Sequence, residues 1–350
     1  ADIMTFNMNK KWSPVWKGET VSEGAITVFK IPAFNPLPGI PNPFSNLLRI
    51  NVIPSLNFTK KLGNYDIIHF VGETDLSFLF ASLFIRKPKI LHCVAIFEHG
   101  GIYKYYLFKR PFLGRIFKKY FAHLSNLYLV YSNENTKLLS RLGVPSEKIL
   151  TLQLGVDTET FQPSVKEKTD NLLLFVGRIY KIKGLHILLN ALEYVKFPIK
   201  LVVIGPRWDE DYVREIEQAA REINAKGVHE VKLLGEVGHR ELVSWYQKSA
   251  VVVCPYLYET FSTVTLEALA CGTPVVSTGA HISDQNPDGI LVTLRDSKKI
   301  AEAINSLLEN KELREKAGRD GRALIEQSFS WNGIVKRLVE IYQHLLDNQL

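Results

Sequence analysis

Cysteine is sparse and unpatterned in this 350-residue chain. Cys93, Cys254 and Cys271 stand far apart, in apolar or small-residue surroundings and without the spacing of a metal site. They read as buried thiols in a reducing compartment, which makes the cytoplasm the expected location. No run approaches the ~18 apolar residues of a membrane span, and no signal-peptide pattern opens the sequence. Acid is missing from one long stretch, with none between Glu98 and Glu134. What is present, 46% hydrophobic and 23% charged residues, describes a soluble globular protein with room for two domains. Residues 1–150 hold 19 Lys and Arg against 9 Asp and Glu, and the remainder 24 against 27, so the two halves are expected to meet different partners.

The amino-terminal half reads as alternating strands and helices. ADIMTF is strand-like from the first residue, and because Ala1 is not an initiator methionine the polypeptide is expected to enter its first domain partway. AITVFKIP alternates as a strand. Five prolines between Pro32 and Pro43 then predict a surface loop, and Leu47–Lys61 predicts a helix. YDIIHFVGE is a buried strand ending near His69, Gly72 and Glu73; His69 there is either a core histidine or a cleft residue. KPKILHCVAIFEHGG puts His92 inside a strand and His99 after it.

Residues 102–121 carry Lys104, Lys109, Arg110, Arg115, Lys118 and Lys119 among eight aromatic residues. Two readings stand side by side: a surface that lies on an anionic bilayer, or a solvated basic helix with its aromatics in the core. Nucleic acid could use such a patch, but no nucleic-acid motif accompanies it.

The carboxy-terminal half is organised around YLYETFSTVTLEALACGTPVVST, residues 256–278. It follows the apolar run VVVCP, a buried parallel strand, and leads through a helix to a second strand, PVVST. Glu259 falls in the loop and Glu267 two turns into the helix. Phe261, Ser262 and Thr263 lie at the helix start with Thr260 before and Thr265 after, leaving backbone N–H groups free to approach an anion. Carboxylates at each end of an anion site suit a ligand with both phosphates and hydroxyls, as in a nucleotide-sugar. Upstream, DNLLLFVGRIYKIKG ends a strand at Gly177, with Arg178 next and Lys183–Gly184 after a short loop. Arg178 can fork onto phosphate oxygens, and Lys183 is a compact point charge.

Glu-x-Phe-Ser-x-x-x-x-Glu-Ala-x-Ala-x-Gly-x-Pro-Val-Val, preceded about 75 residues earlier by Gly-Arg-x-x-x-x-Lys-Gly, resembles the paired signature of the retaining GT-B glycosyltransferases of family 4, the glycosyl transferases group 1. LQLGVDTETFQP resembles the family's segment at the hinge between domains. The resemblance runs from about Asp66 to the carboxyl end; Ser262 stands where the family more often has glycine, and GAHIS has only Gly279 where the family often has paired glycines. It implies an α/β fold of GT-B architecture: two Rossmann-like domains with doubly wound parallel sheets facing a central cleft. Residues 1–155 would form the acceptor domain, with the last helix, about 332–350, packing back on it, and 156–331 the nucleotide-sugar donor domain. Members normally begin with an earlier strand and a glycine-rich loop; the first glycines here are Gly18 and Gly24, so the amino-terminal domain is expected to lack both, by truncation or as an unusual member.

By resemblance, the chain is a hexosyltransferase-type enzyme that moves a sugar, with retention, from a UDP-sugar or GDP-sugar to a glycan or lipid-linked acceptor. Glu259 would contact the sugar, Glu267 the ribose hydroxyls, and Gly235, Glu236 and Val237 the base. His69, Glu73 and His99 would lie on the acceptor side; a histidine would face the transferred sugar, and its position in the loop after the strand favours His99 over His92 for this catalytic role beside Arg178, Lys183 and Glu259. Arg178, Lys183 and the helix start after Phe261 would neutralise the leaving diphosphate, so no metal and no cofactor are expected. Three alternatives remain: a non-catalytic nucleotide-sugar-binding protein or subunit, a glycosidase that would use the paired carboxylates but leave Arg178 and Lys183 idle, and an epimerase. If residues 102–121 lie on a membrane, the protein is peripheral on its inner face.

Overall fold

The computed structural model describes residues 2–6, 19–23, 26–31, 33–34, 53–54, 62–71, 82, 86–93, 122–165, 168–259, 261–279, 289–292 and 295–347. They divide into two compact units: Ala1–Leu152 with Val339–Leu350, and Gln153–Leu338.

The first unit opens with three strands, Asp2–Phe6 (β1), Glu19–Glu23 (β2) and Ile26–Ile31 (β3), in the order β1-β3-β2. β1 runs parallel to β3, and β2 antiparallel to it. The helix expected over Leu47–Lys61 fails at its centre. Ile53–Pro54 (β5) is a short strand paired antiparallel with Ala33–Phe34 (β4), which is also the one described exception to the proline-rich loop. Pro54 has no N–H to give and its ring clashes with the preceding helical turn. The remainder of both stretches lies outside the described residues, as do Gly72, Glu73, His99 and all of residues 102–121 with their six cations.

A parallel sheet follows, Ile68–Val71 (β6), Lys89–Cys93 (β7), Leu127–Val130 (β8) and Ile149–Thr151 (β9), paired in chain order. Every residue of β7 is buried, as a parallel strand covered on both faces requires. Between β8 and β9 runs the helix Asn133–Arg141 (α1), capped by the Ser132 hydroxyl, which accepts from the Asn135 N–H. Leu91, Tyr128, Val130 and Leu139 form the core there.

The second unit repeats strand and helix from Thr169–Val176 (β10). Leu185–Ala191 (α2), Lys200–Ile204 (β11), Glu210–Ala225 (α3), Glu230–Gly235 (β12) and His239–Lys248 (α4) follow. Ser249–Cys254 (β13), Thr263–Ala270 (α5), Val275–Ser277 (β14) and Ile290–Val292 (β15) complete the sheet. Ser297–Glu309 (α6), Lys311–Ser328 (α7) and Trp331–Asp347 (α8) close the chain.

All six strands are parallel, in the order β12-β11-β10-β13-β14-β15. The chain winds outward from β10 to one edge, then returns to β13 and winds to the other. The order reverses between β10 and β13, and in such sheets ligands bind outside the carboxyl ends of the strands at that reversal. The core is apolar on both faces: all of β13 is buried, and Leu173, Phe175, Leu201, Val203 and Val251 pack with Leu188, Val213 and Ile304 from the helices. Among the described residues no helix is long and apolar enough to cross a membrane, and Cys93, Cys254 and Cys271 are buried and none is in a disulfide.

Candidate functional site

The loops after β10 and β13 are built to meet. The Gly177 N–H donates to Ile204 O at 2.9 Å, carrying the chain out over β11, and a single helical turn, Lys181–Lys183, returns it. Gly184 ends that turn in the left-handed region, φ 72°, where a Cβ would lie 1.8 Å from the Pro255 carbonyl oxygen. Only glycine satisfies both demands. The Leu257 N–H then donates to Ile182 O at 2.9 Å, clasping the two loops together.

This clasp sets the Lys183 ammonium on the Glu259 carboxylate, 4.9 Å from the centre of the Tyr256 ring. Arg178 stays exposed, its guanidinium 4.7 Å from the Trp208 ring at the end of β11. The neighbouring strand end supplies Gly235, whose carbonyl accepts from the Gly205 N–H, with Glu236 exposed and Val237 half-buried beyond it.

α5 starts beside Glu259. Ser262 caps it, its hydroxyl accepting from the Thr265 N–H at 3.1 Å and lying 3.1 Å from the Tyr256 hydroxyl. With φ −101°, Ser262 has ordinary backbone geometry, so the position makes no demand for glycine. Phe261 is buried, Thr263 is exposed, and the first-turn N–H groups carry the partial positive charge of a helix start. One turn on, Glu267 accepts a 2.7 Å hydrogen bond from the Tyr246 hydroxyl of α4. Burial raises the Glu267 carboxyl above its ordinary value, while Tyr246 and the nearby His239 pull it down. Tyr246 and Tyr256 are buried, and burial holds both phenols well above their usual range, so they serve as neutral donors.

The structure thus gathers Gly177, Arg178, Lys183, Glu259, Phe261, Ser262, Thr263 and Glu267 around the strand-order reversal of the second unit, with Gly235, Glu236 and Val237 along the same edge. Sequence reasoning missed Tyr246, Tyr256 and Trp208. Tyr256 follows directly on a strand end and was open to notice; nothing local marks Tyr246 or Trp208.

In the first unit, His69 and His92 stand on adjacent strands with ring centres 5.5 Å apart and planes 18° from parallel. His69 Nδ1 lies 2.7 Å from the Tyr342 hydroxyl, and His92 packs 4.7 Å from the Tyr131 ring. Burial pushes both imidazoles down to about 4, with the His69 charge adding to the effect on His92, so at neutral pH both are uncharged. Their Nε2 atoms have no hydrogen-bond partner among the described residues.

An open doubly wound sheet with a helix start, two cations and two carboxylates at its switch point defines a Rossmann-like α/β protein. Its family is equally plain: residues 156–324 match the glycosyl transferases group 1 and residues 17–160 match glycosyltransferase family 4, so the chain belongs to the family 4, group 1 glycosyltransferases. An uncharacterized glycosyltransferase of Methanocaldococcus jannaschii is 27% identical, over 99% of this chain and 91% of its own. In fold, the chain is similar to sucrose-phosphate synthase from Thermosynechococcus elongatus (TM-score 0.73, 19% identity, 99% and 89% of the two chains). It is also similar to Anabaena HepE in complex with UDP and glucose (TM-score 0.69, 20% identity, 91% and 86%). The fold is GT-B, two parallel-sheet α/β domains, and the protein is a glycosyltransferase.

Proposed function

We propose that this glycosyltransferase takes a nucleotide-diphosphate sugar as donor, bound by residues 156–331, and passes the sugar with retention to a glycan or lipid-linked acceptor held by residues 1–155. The observation that carries the reading is the Lys183–Glu259 pair beside the amino end of α5, at the point where the strand order reverses. A diphosphate entering there would take over Lys183 and draw Arg178 from Trp208, meeting two cations and a helix start. That frees Glu259 for sugar hydroxyls, while Tyr246 aims Glu267 at the ribose.

In the transfer, the bond between the anomeric carbon and the phosphate oxygen breaks with its electron pair going to phosphate. The acceptor hydroxyl oxygen bonds the same carbon from the same face, and its proton passes to the leaving phosphate. Negative charge grows on the diphosphate, so preorganised cations and N–H groups act where the barrier is highest. In this reading Arg178, Lys183 and α5 balance that charge without a divalent metal, and His99 or His92 with His69 and Glu73 faces the sugar and acceptor. The UDP complex of HepE makes UDP the first base to try. A basic aromatic segment, residues 102–121, would bring a lipid-linked acceptor within reach of a cytoplasmic enzyme peripheral to the membrane.

Calorimetry and thermal shift with UDP, GDP and ADP in EDTA, on the wild type and Lys183→Ala, test the donor site. One nucleotide stabilising the wild type alone is the expected result. Loss of binding in EDTA would overturn the metal-free reading. Turnover with the matching sugar, its product configuration read by NMR, tests retention; binding without turnover would favour a non-catalytic subunit.

A further inference from the structure

The second unit holds another cavity, of about 400 Å³, walled by α7, the start of β10 and the turn before β14. The proposed donor site uses carboxyl ends of strands, whereas Lys168, Asp170 and Gly272 stand at amino ends. β10, eight residues long, spans about 26 Å. The two sites therefore lie at opposite ends of the strands of one sheet.

The cavity's charges do not cancel. Lys168, Lys311, Arg314, Arg319 and Arg322 line it against Asp170, Glu315 and Glu326, an excess of two positive charges. Arg314 is buried, bound to Asp170 and donating to Leu307 O at 2.9 Å; Arg322 pairs with Glu326 and donates to Phe161 O and Ala270 O. Lys311 and Arg319 share Glu315 at 3.9 and 3.8 Å. Lys168 has no carboxylate partner among the described residues: its ammonium donates only to Thr273 Oγ1 and to Gln247 O.

We infer that this cavity binds a phosphorylated small molecule, its phosphate dianion seated against Lys168 and Arg319. The excess of two cations equals the charge of a phosphate monoester, and the volume falls in the range of small-molecule pockets, with room for an organic body. Burial, helped by the Arg314 charge, holds the Lys168 ammonium down to about 8. A bound anion reverses that, so binding near pH 8 takes up a proton.

The experiment is calorimetric titration with glycerol 3-phosphate and with inorganic phosphate at pH 8, in two buffers of different ionisation enthalpy. It uses the wild type, Lys168→Met, the exposed-site variant Arg319→Ser, and Lys183→Ala to remove the proposed donor site's lysine. The expected result is binding with proton uptake in the wild type and Lys183→Ala, lost in Lys168→Met and weakened about tenfold in Arg319→Ser, which tests the site even if Lys168→Met misfolds. Tighter binding of the monoester assigns an organic phosphate, and equal binding assigns free phosphate. The inference is overturned if neither probe binds, if Arg319→Ser binds like the wild type, or if only Lys183→Ala loses binding, which would place the phosphate in the donor site.

Discussion

The Lys183 ammonium rests on the Glu259 carboxylate with the Tyr256 ring 4.9 Å away, so each charge is neutralised by the group a donor would displace. Replacing Lys183 with alanine removes one preorganised cation. It is expected to lower kcat/KM by about 10²–10³ and to weaken nucleoside diphosphate binding, with the circular dichroism spectrum unchanged. Steady-state rates and calorimetry check it, and wild-type values would count against the role.

The buried Glu267 carboxyl titrates above its ordinary value. A carboxyl raised by folding contributes stability that is complete below its unfolded pKa, about 4.3, and lost as pH rises through the folded value. Glu267→Gln is therefore expected to melt higher than the wild type at neutral pH, with the advantage vanishing below about pH 4, and to bind the donor more weakly. Melting curves across pH, beside nucleotide titrations, test both halves.

Tyr246→Phe removes the hydroxyl that lowers the Glu267 pKa. The pH below which nucleotide binding fails should move upward, and stability should drop by roughly 1–3 kcal/mol because a buried acceptor loses its donor. An unshifted acid limb would show that Tyr246 does not orient Glu267.

His69 and His92 are depressed to about 4, so the unfolded chain binds protons that the folded one refuses. Stability should fall as pH drops from about 6.5 towards 4, by on the order of 2–3 kcal/mol per imidazole. His92→Gln is expected to flatten that slope in urea unfolding measured at pH 7, 6, 5 and 4; an unchanged slope would refute the assignment.

Gly184→Ala combines a left-handed φ with a clash against Pro255, whereas Gly227, φ 71°, has open space where its Cβ would stand. Gly184→Ala is expected to destabilise by roughly 2–4 kcal/mol and to impair nucleotide binding, and Gly227→Ala by about 1–2 kcal/mol with binding intact. Equal effects would mean that the clasp between the two loops is unimportant.

Much of the second unit was legible because its signals are local. The apolar runs of β10 and β13 declare buried parallel strands, and Gly177, Arg178, Lys183, Glu259 and Glu267 follow strand ends at motif spacing. The first unit was less so. The Leu47–Lys61 pattern suited a helix, yet Ile53–Pro54 pairs as a strand with residues some twenty positions earlier, which periodicity does not register.

The sequence by itself determined the strands and helices of the second unit, that the chain is α/β, and which side chains follow the strand ends. Those properties depend on neighbours within a few residues. Tertiary structure alone decided that β10 and β13 are adjacent, that Lys183 meets Glu259 across 76 positions, that Tyr246 reaches Glu267, and that His69 stacks on His92. Each depends on which strand a crossover returns to, and backbone propensity carries no information about that choice; it is made by the packing of helices onto both faces of the sheet.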